Sequence, residues 1–260
     1  MNGRVLFVAS TLAAAGMVGV VTIVGSPAVF PAAGVALAYV AIILWGVLDP
    51  QISMFAPVMV RLPNAGNTIA LTFDDGPDRA TTRAVLDTLA RFGAHATFFV
   101  LGEKVRAAPH VLRDIARAGH TIGIHGDRHD RLLSLRSPKR IVAELERARA
   151  SVAEIIGERP CFFRPPVGHV SPRTAVAARK LGLTIVGWSV RGRDGLASTS
   201  ATDVERRVCA GLRPGAIVLL HDAAEHGDRT PVGIAALPAI LEHATQAGLR
   251  CIALPSPGAR

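Results

Sequence analysis

The sequence predicts an α/β fold built on a parallel sheet or barrel and entered through two membrane helices. Three observations carry that expectation. No charged residue occurs between Arg4 and Asp49, whereas charges are frequent afterwards. From Thr68 onward, short apolar runs alternate with amphipathic stretches. Glycines stand where each helical stretch should hand over to the next strand. Strand–helix alternation is the pattern of parallel sheets, because parallel neighbours need a crossover between them.

The apolar part comes first. Residues 5–25 carry no charge, and a helix of that length spans roughly 30 Å, the thickness of a bilayer's hydrocarbon core. Residues 29–48 form a second such run, and Gly25-Ser26-Pro27 and Pro31 punctuate the two. Helices satisfy their own backbone polar groups in hydrocarbon, so a hairpin of two transmembrane helices is the expected structure. Trp45 near the second exit suits an interfacial anchor. The alternatives are a cleaved signal peptide for the first run and a buried amphiphilic element for the second. Against the former, the run is long for a signal's apolar core and lacks a clean cleavage site. Arg4 and Arg61 flank the outer ends, so the positive-inside rule places both ends in the cytoplasm on those two charges alone. The expected division is a membrane segment over 1–60 and one folded domain over 61–260, at a multi-pass cell-membrane location.

Within the second part, strand-like runs cover 68–73, 96–101, 121–125, 161–164, 183–190, 216–221 and 251–254. Helical stretches cover 81–92, 108–118, 138–156, 171–181, 202–211 and 232–247. Gly93, Gly119, Gly182, Gly215 and Gly248 sit at the hand-over points, as glycines just past a helix end do.

Composition excludes several classes. The net charge is +9, yet the basic residues are scattered, as in Arg136, Lys139, Arg140, Arg147 and Arg149 on one helical stretch. Aromatics make up only 5% of the chain, too few for a base-stacking platform, and no nucleic-acid signature is present. The charge reads instead as a basic surface that keeps the domain soluble beside an anionic bilayer. Cys161, Cys209 and Cys251 form no CxxC pair, which excludes a disulfide framework, a thiolate zinc site and a disulfide-linked partner.

Polar groups fall at the ends of the strand runs. Asp74-Asp75 ends the first, His125, Arg164 and His221 end three others, and Asp194 follows a fifth. In α/β sheets, ligands bind beyond the carboxyl ends of the strands, so five strands deliver ionisable groups to one rim. His125 and His129 are spaced i, i+4, which on one helical turn puts both on one face for a single metal. Alone such a pair is weak, because most are surface or hydrogen-bonded histidines. Asp75 would complete a His₂–carboxylate set with open positions, suited to catalytic zinc or to non-haem iron. Asp74 beside it favours hydrolysis, which needs a base next to the attacking water. Thr72-Phe73-Asp74-Asp75-Gly76-Pro77 could otherwise be an acidic turn that caps the following helix.

These strings together resemble the polysaccharide deacetylase family, also called the NodB-homology or carbohydrate esterase family 4 domain, over about residues 66–255. Thr72 to Pro77 resembles its first motif, and His125 to His129 the second. Arg164-Pro165-Pro166-Val167-Gly168 resembles the third, and Leu219-Leu220-His221 the last. The resemblance implies a distorted (β/α) barrel of fewer than eight strands. It implies a hydrolase that removes acyl groups from N-acetylated sugars, at carbon–nitrogen bonds that are not peptide bonds, or O-acetyl groups from xylan. It also implies a divalent ion, zinc above all. Position by position, Asp75, His125 and His129 resemble the metal ligands, Asp74 the general base and His221 the general acid. Arg164 resembles the residue that holds Asp74, and Asp194 the partner that orients and charges His221. The backbone N–H of Val167 resembles the oxyanion donor, and Leu219 falls with Val167 among the substrate-binding positions.

Departures from the pattern are local. Gly126 stands where the family usually has Ser or Thr, and Val167 where it often has Tyr or Phe. Around Asp194 the usual aromatic is replaced by Gly195, while Arg191 and Arg193 bring positive charge to the rim. His169, just after the third motif, reads as a loop residue. With the hairpin, the altered groove points to a saccharide or lipid-linked saccharide substrate at a membrane. A deformylase of a lipid-linked amino sugar and an O-acetyl esterase remain alternatives. An inactive glycan-binding module should lack the base or the acid, and Asp74 and His221 are both present.

Overall fold

The computed structural model describes residues 3–24, 29–227 and 229–255. Two apolar helices open the chain, α1 (Gly3–Val24) and α2 (Val29–Leu48). Both are long and apolar enough to cross a membrane, each with a mean hydropathy of 2.1 over its best window. Their large side chains are exposed, Ile23 and Phe30 among them. Gly25-Ser26-Pro27, expected to turn the hairpin, lie outside the described residues.

The outer ends of these helices are fastened to the rest of the molecule. Phe7 meets Phe55 edge-on at 5.6 Å between ring centroids. Gly46 lies so close to Met54 that a Cβ there would sit 2.3 Å from its Sδ. The amide of Val170 donates to the carbonyl of Val47 at 3.0 Å.

A parallel sheet forms the body. Its spine is β2 (Thr68–Asp74), buried along its whole length. On one side follow β3 (Ala96–Val100), β4 (Thr121–Ile124), β5 (Phe162–Phe163) and β6 (Thr184–Val186), with β1 (Val58–Met59) at that edge. On the other side lie β8 (Ile217–His221) and then β7 (Val190–Arg191), while β9 (Arg250–Cys251) pairs with the start of β2. Every ladder between these strands is parallel. Strands covered on both faces read as continuous apolar runs, which is why Ile69 to Phe73 and Ile217 to Leu220 show little alternation. This is the barrel-like α/β architecture expected from the sequence, with β1 and β7 ending the main path of the sheet.

The crossover helices are α3 (Thr81–Arg91), α5 (Pro109–Arg117), α6 (Pro138–Ile156), α7 (Pro172–Lys180), α8 (Ala201–Gly211) and α9 (Gly233–Gln246). Their starts and stops have local causes. Ser137 caps α6 by accepting from the Arg140 amide, with Pro138 at the first position. Ser171 and Thr174 form a reciprocal capping box on α7. The five hand-over glycines all have positive φ, between 58° and 79°. Leu89, Leu112, Ile115, Leu145 and Leu237 are buried in the core with Phe73 and Phe98, whose rings stack at 5.2 Å. Each such side chain contributes about 1.5–3 kcal/mol by leaving water.

Three elements differ from expectation. The apolar run 183–190 is two strands, β6 and β7, separated by Gly187, Trp188 and Ser189; a continuous run does not reveal where a chain leaves one ladder for another. A six-residue helix, α4 (Gly102–Ala107), precedes α5 and is too short to show a period. The two-residue β1 is shorter than any alternation could mark.

Candidate active site

The sheet brings the expected residues to its C-terminal edge. β2 delivers Asp74 and Asp75. In a regular strand neighbouring side chains point to opposite faces, but Asp75 has φ 74°, which breaks the alternation. Both carboxylates therefore approach one imidazole. Asp74 Oδ2 lies 3.9 Å and Asp75 Oδ1 3.6 Å from His125 Nε2. A non-glycine residue in the left-handed region is a local strain of the kind concentrated at functional sites.

His125 and His129 are not on a helical turn, as their spacing suggested, but on the loop after β4. Gly126 has φ 109°, and a Cβ there would lie 2.9 Å from the Arg128 carbonyl. This backbone path accounts for glycine in place of the family's usual hydroxyl residue. The loop still aims both rings at Asp75: His129 Nε2 is 3.7 Å from Asp75 Oδ1.

The three side chains fit a divalent ion. One ligand atom from each of Asp75, His125 and His129 lies within 4.8 Å of the others. Asp75 Oδ1 is buried without a hydrogen-bond partner. Burial pushes the Asp75 carboxyl up to about 7, against the pull of His221 and with the repulsion of Asp74. Burial also pushes His125 down to about 3 and lowers His129, so both rings are neutral donors. An orphaned carboxylate oxygen between two neutral imidazoles is an arrangement that a cation completes.

Outer partners fix the rings. His125 Nδ1 is 2.7 Å from the Arg164 carbonyl. His129 Nδ1 is 2.7 Å from Glu225 Oε1. Arg131 holds Glu225 through Nε at 2.6 Å and through a second contact from Nη2. Its hydrogen bond draws the Glu225 carboxyl down to about 2, despite some burial. Such partners fix the tautomer and raise ligand basicity. Glu225→Gln is therefore expected to weaken metal binding by about 10–100-fold, read by competition titration against a chelator.

Arg164 serves two groups at once. Its carbonyl meets His125, while its fully buried guanidinium donates to Asp74 Oδ1 at 2.7 Å, to Thr72 Oγ1 at 2.8 Å and to the Gly187 carbonyl at 2.8 Å. The guanidinium also lies over the Phe99 ring at 4.2 Å. A buried ion pair of this kind stabilises only when its remaining donors are satisfied.

Beside β2, β8 ends in His221, which pairs in register with Asp74. Its amide donates to Asp194 Oδ2 at 2.8 Å, and its Nδ1 is 2.9 Å from Asp194 Oδ1. Burial disfavours the imidazolium, but the hydrogen bond and charge of Asp194, with the carboxylates of Asp75 and Asp74, outweigh it and raise His221 to about 9. Asp194 is itself fully buried against Gly233, where a Cβ would come 2.3 Å from its Oδ2.

A cavity of about 150 Å³ is lined by Asp74, Asp75 and His221 together with Val167, Trp188 and Leu219. Val167 is in a 3-10 turn after β5 with φ 53°. Arg191 and Arg193 line the same cavity and are exposed. His169 does not line it. The sequence reading missed Glu225 and the part played by Thr72. Glu225 follows His221 by four residues, with no spacing rule to mark it; Thr72 precedes the acidic pair by an even register and so shares the face of Asp74.

The fold and site define an α/β domain with a His₂–carboxylate centre facing a charged histidine. The profile of the Polysaccharide deacetylase family matches residues 61–186. A peptidoglycan-N-acetylglucosamine deacetylase of Bacillus cereus is 32% identical over 194 residues, covering 74% of this chain and 88% of that protein. The peptidoglycan-N-acetylglucosamine deacetylase PgdA of Listeria monocytogenes is 36% identical over 173 residues, 65% of this chain. This chain spans only 36% of the length of that relative. Among solved structures, the Bc1960 peptidoglycan N-acetylglucosamine deacetylase superposes with a TM-score of 0.71 at 31% identity, covering 76% of this chain and 90% of that one. The chain belongs to the polysaccharide deacetylase family.

Proposed function

We propose that the chain hydrolyses an N-acetyl group from an amino sugar in a glycan or lipid-linked saccharide. The observation that carries this is that Asp74 and His221 line one cavity beside a ligand set for a divalent ion. The names of the relatives support an N-acetylated amino sugar as the substrate class. Residues 61–260 form the catalytic domain, and residues 1–60 carry two transmembrane helices.

An amide is a poor electrophile with a poor leaving group. A divalent ion held by Asp75, His125 and His129, zinc in our reading, would lower the pKa of a water and polarise the acyl carbonyl. Asp74, fixed by Arg164, takes the proton of the attacking water. His221, kept protonated by Asp194, donates to the departing amine nitrogen. The Val167 amide faces the developing oxyanion. Trp188 and Leu219 hold the sugar against the site.

The test is acetate release from N-acetylglucosamine oligomers and from a lipid-linked N-acetyl sugar, with zinc and with chelator. Zinc-dependent acetate supports the reading. Formate from an N-formyl substrate, or acetate only from an O-acetyl sugar, would replace it with the deformylase or the esterase.

A further inference from the structure

We infer that the catalytic rim itself lies on the bilayer: the loops carrying Leu132, Leu135 and Leu196 form a docking surface for an anionic lipid headgroup layer. The sugar is thereby offered to the site from the membrane plane. The inference rests on α1 and α2 crossing the membrane, and its substrate clause rests on the deacetylase reading.

The geometry begins at α2. The hydrogen bond from Val170 to Val47 ties the last turn of that helix to the loop after β5, on the edge of the sheet where the site opens. Val170 follows Val167 by three residues, so the proposed oxyanion donor lies within roughly 11 Å of the helix end along the chain. A second contact repeats the placement. Pro50, just past α2, packs against Gly187 at the end of β6, where a Cβ would be 3.4 Å from it. The connection from α2 to β1 is packed by Met54 and Phe55 rather than loose. The helix pair therefore fixes which face of the domain meets the membrane, and that face is the catalytic one.

The same loop network exposes apolar side chains. Ser171 Oγ donates to the Ser134 carbonyl, and Arg173 donates to the Leu135 carbonyl. These bonds couple the loop beside α2 to the turn that presents Leu132 and Leu135, which are 55% and 62% exposed. Leu196, after Asp194, is 50% exposed. Among the described residues, the other large hydrophobic side chains exposed outside α1 and α2 are Val167 on the same rim, Val176 on α7, and Phe92 beyond α3 before the sheet's opposite edge. Protruding leucines among cations make an interfacial surface: apolar tips enter the headgroup boundary while guanidinium groups meet phosphate. Exposed Arg191 and Arg193 line the same cavity as Leu196, and exposed Arg128 stands on the loop that leads from β4 to Leu132.

The full chain in nanodiscs of mixed phosphatidylglycerol and phosphatidylcholine tests this. An environment-sensitive fluorophore is attached to cysteine at Leu132→Cys, Leu196→Cys and, as reference, Phe92→Cys. The unsubstituted chain, labelled in parallel, supplies the background from its three native cysteines. Nitroxide-bearing lipids should quench the probes at 132 and 196 several-fold more than the probe at 92, with iodide showing the reverse order. Equal lipid quenching at all three positions would overturn the docking surface, whatever the activity. A second readout uses the Leu132→Glu, Leu135→Glu double variant. Its turnover of a bilayer-held lipid-linked N-acetyl sugar should fall by about tenfold while turnover of soluble N-acetylglucosamine oligomers stays unchanged, as expected for two leucines leaving an apolar boundary. An equal fall on both substrates would assign the leucines to the fold or the groove and overturn the proposal. Quenching on the rim without turnover of either sugar would keep the surface and remove the deacetylase reading.

Discussion

Asp74→Asn is expected to lower turnover by about 10²–10⁴-fold while leaving the divalent ion bound. The substitution preserves shape and one hydrogen-bond acceptor toward Arg164, but it removes the basic lone pair that accepts a proton from water. The proposed ligand atoms belong to Asp75, His125 and His129, so metal affinity should change little. Stability will not escape. Arg164 is fully buried, and its main anionic partner is Asp74 at 2.7 Å. Removing one member of such a pair leaves a buried charge uncompensated, at a cost of up to about 3–5 kcal/mol. The neutral amide still accepts a hydrogen bond, so the cost should fall toward the lower end. Acetate release, metal titration and thermal melting on the same preparation separate the three effects. Near-normal turnover with metal bound would remove Asp74 from the role of base. Lost turnover together with lost metal would make it a ligand instead.

What could be read from the sequence divides along the range of the forces involved. The boundaries of α6 were legible because a serine cap, a proline at the first turn and Gly157 at φ 77° act locally. The break between β6 and β7 was not, because the place where Trp188 leaves the ladder depends on strands distant in sequence. The same holds at the site. Asp75 and His125 directly follow strand ends, which the apolar runs mark, and His129 lies on the loop beyond. Glu225 reaches His129 across 96 positions of chain through a loop with no period of its own. The helical-turn expectation for His125 and His129 failed for a related reason. Spacing alone is compatible with several loop paths, and Gly126 selects one that is not helical. The contact between Val47 and Val170, which ties the end of α2 to the loop after β5, leaves no trace in either segment.

The pH dependence follows from His221 and should be largest in Asp194→Asn. With its folded value near 9 against an ordinary 6.5, His221 is held protonated by Asp194. A group raised on folding stabilises the native state fully below its unfolded value, and that contribution fades as pH rises through the folded one. The wild-type chain should thus gain most over Asp194→Asn below about pH 6.5 and lose that margin by about pH 9, as read from thermal melts across this window. Activity should follow the same group. The alkaline limb of kcat/KM reports the acid, and it should lie above 6.5 but short of 9, because a bound cation beside Asp75 works against the imidazolium. In Asp194→Asn the limb should move down by a unit or more, since burial alone lowers the histidine and its principal counter-charge is gone. Turnover at about pH 8 should then fall by 10–100-fold, with recovery toward acid pH. An unshifted limb would mean that a group other than His221 loses the required proton on that side, and that His221 only positions the substrate. A shifted limb with undiminished acid-side turnover would instead fix Asp194 as the residue that sets the charge of the acid, independent of the fold.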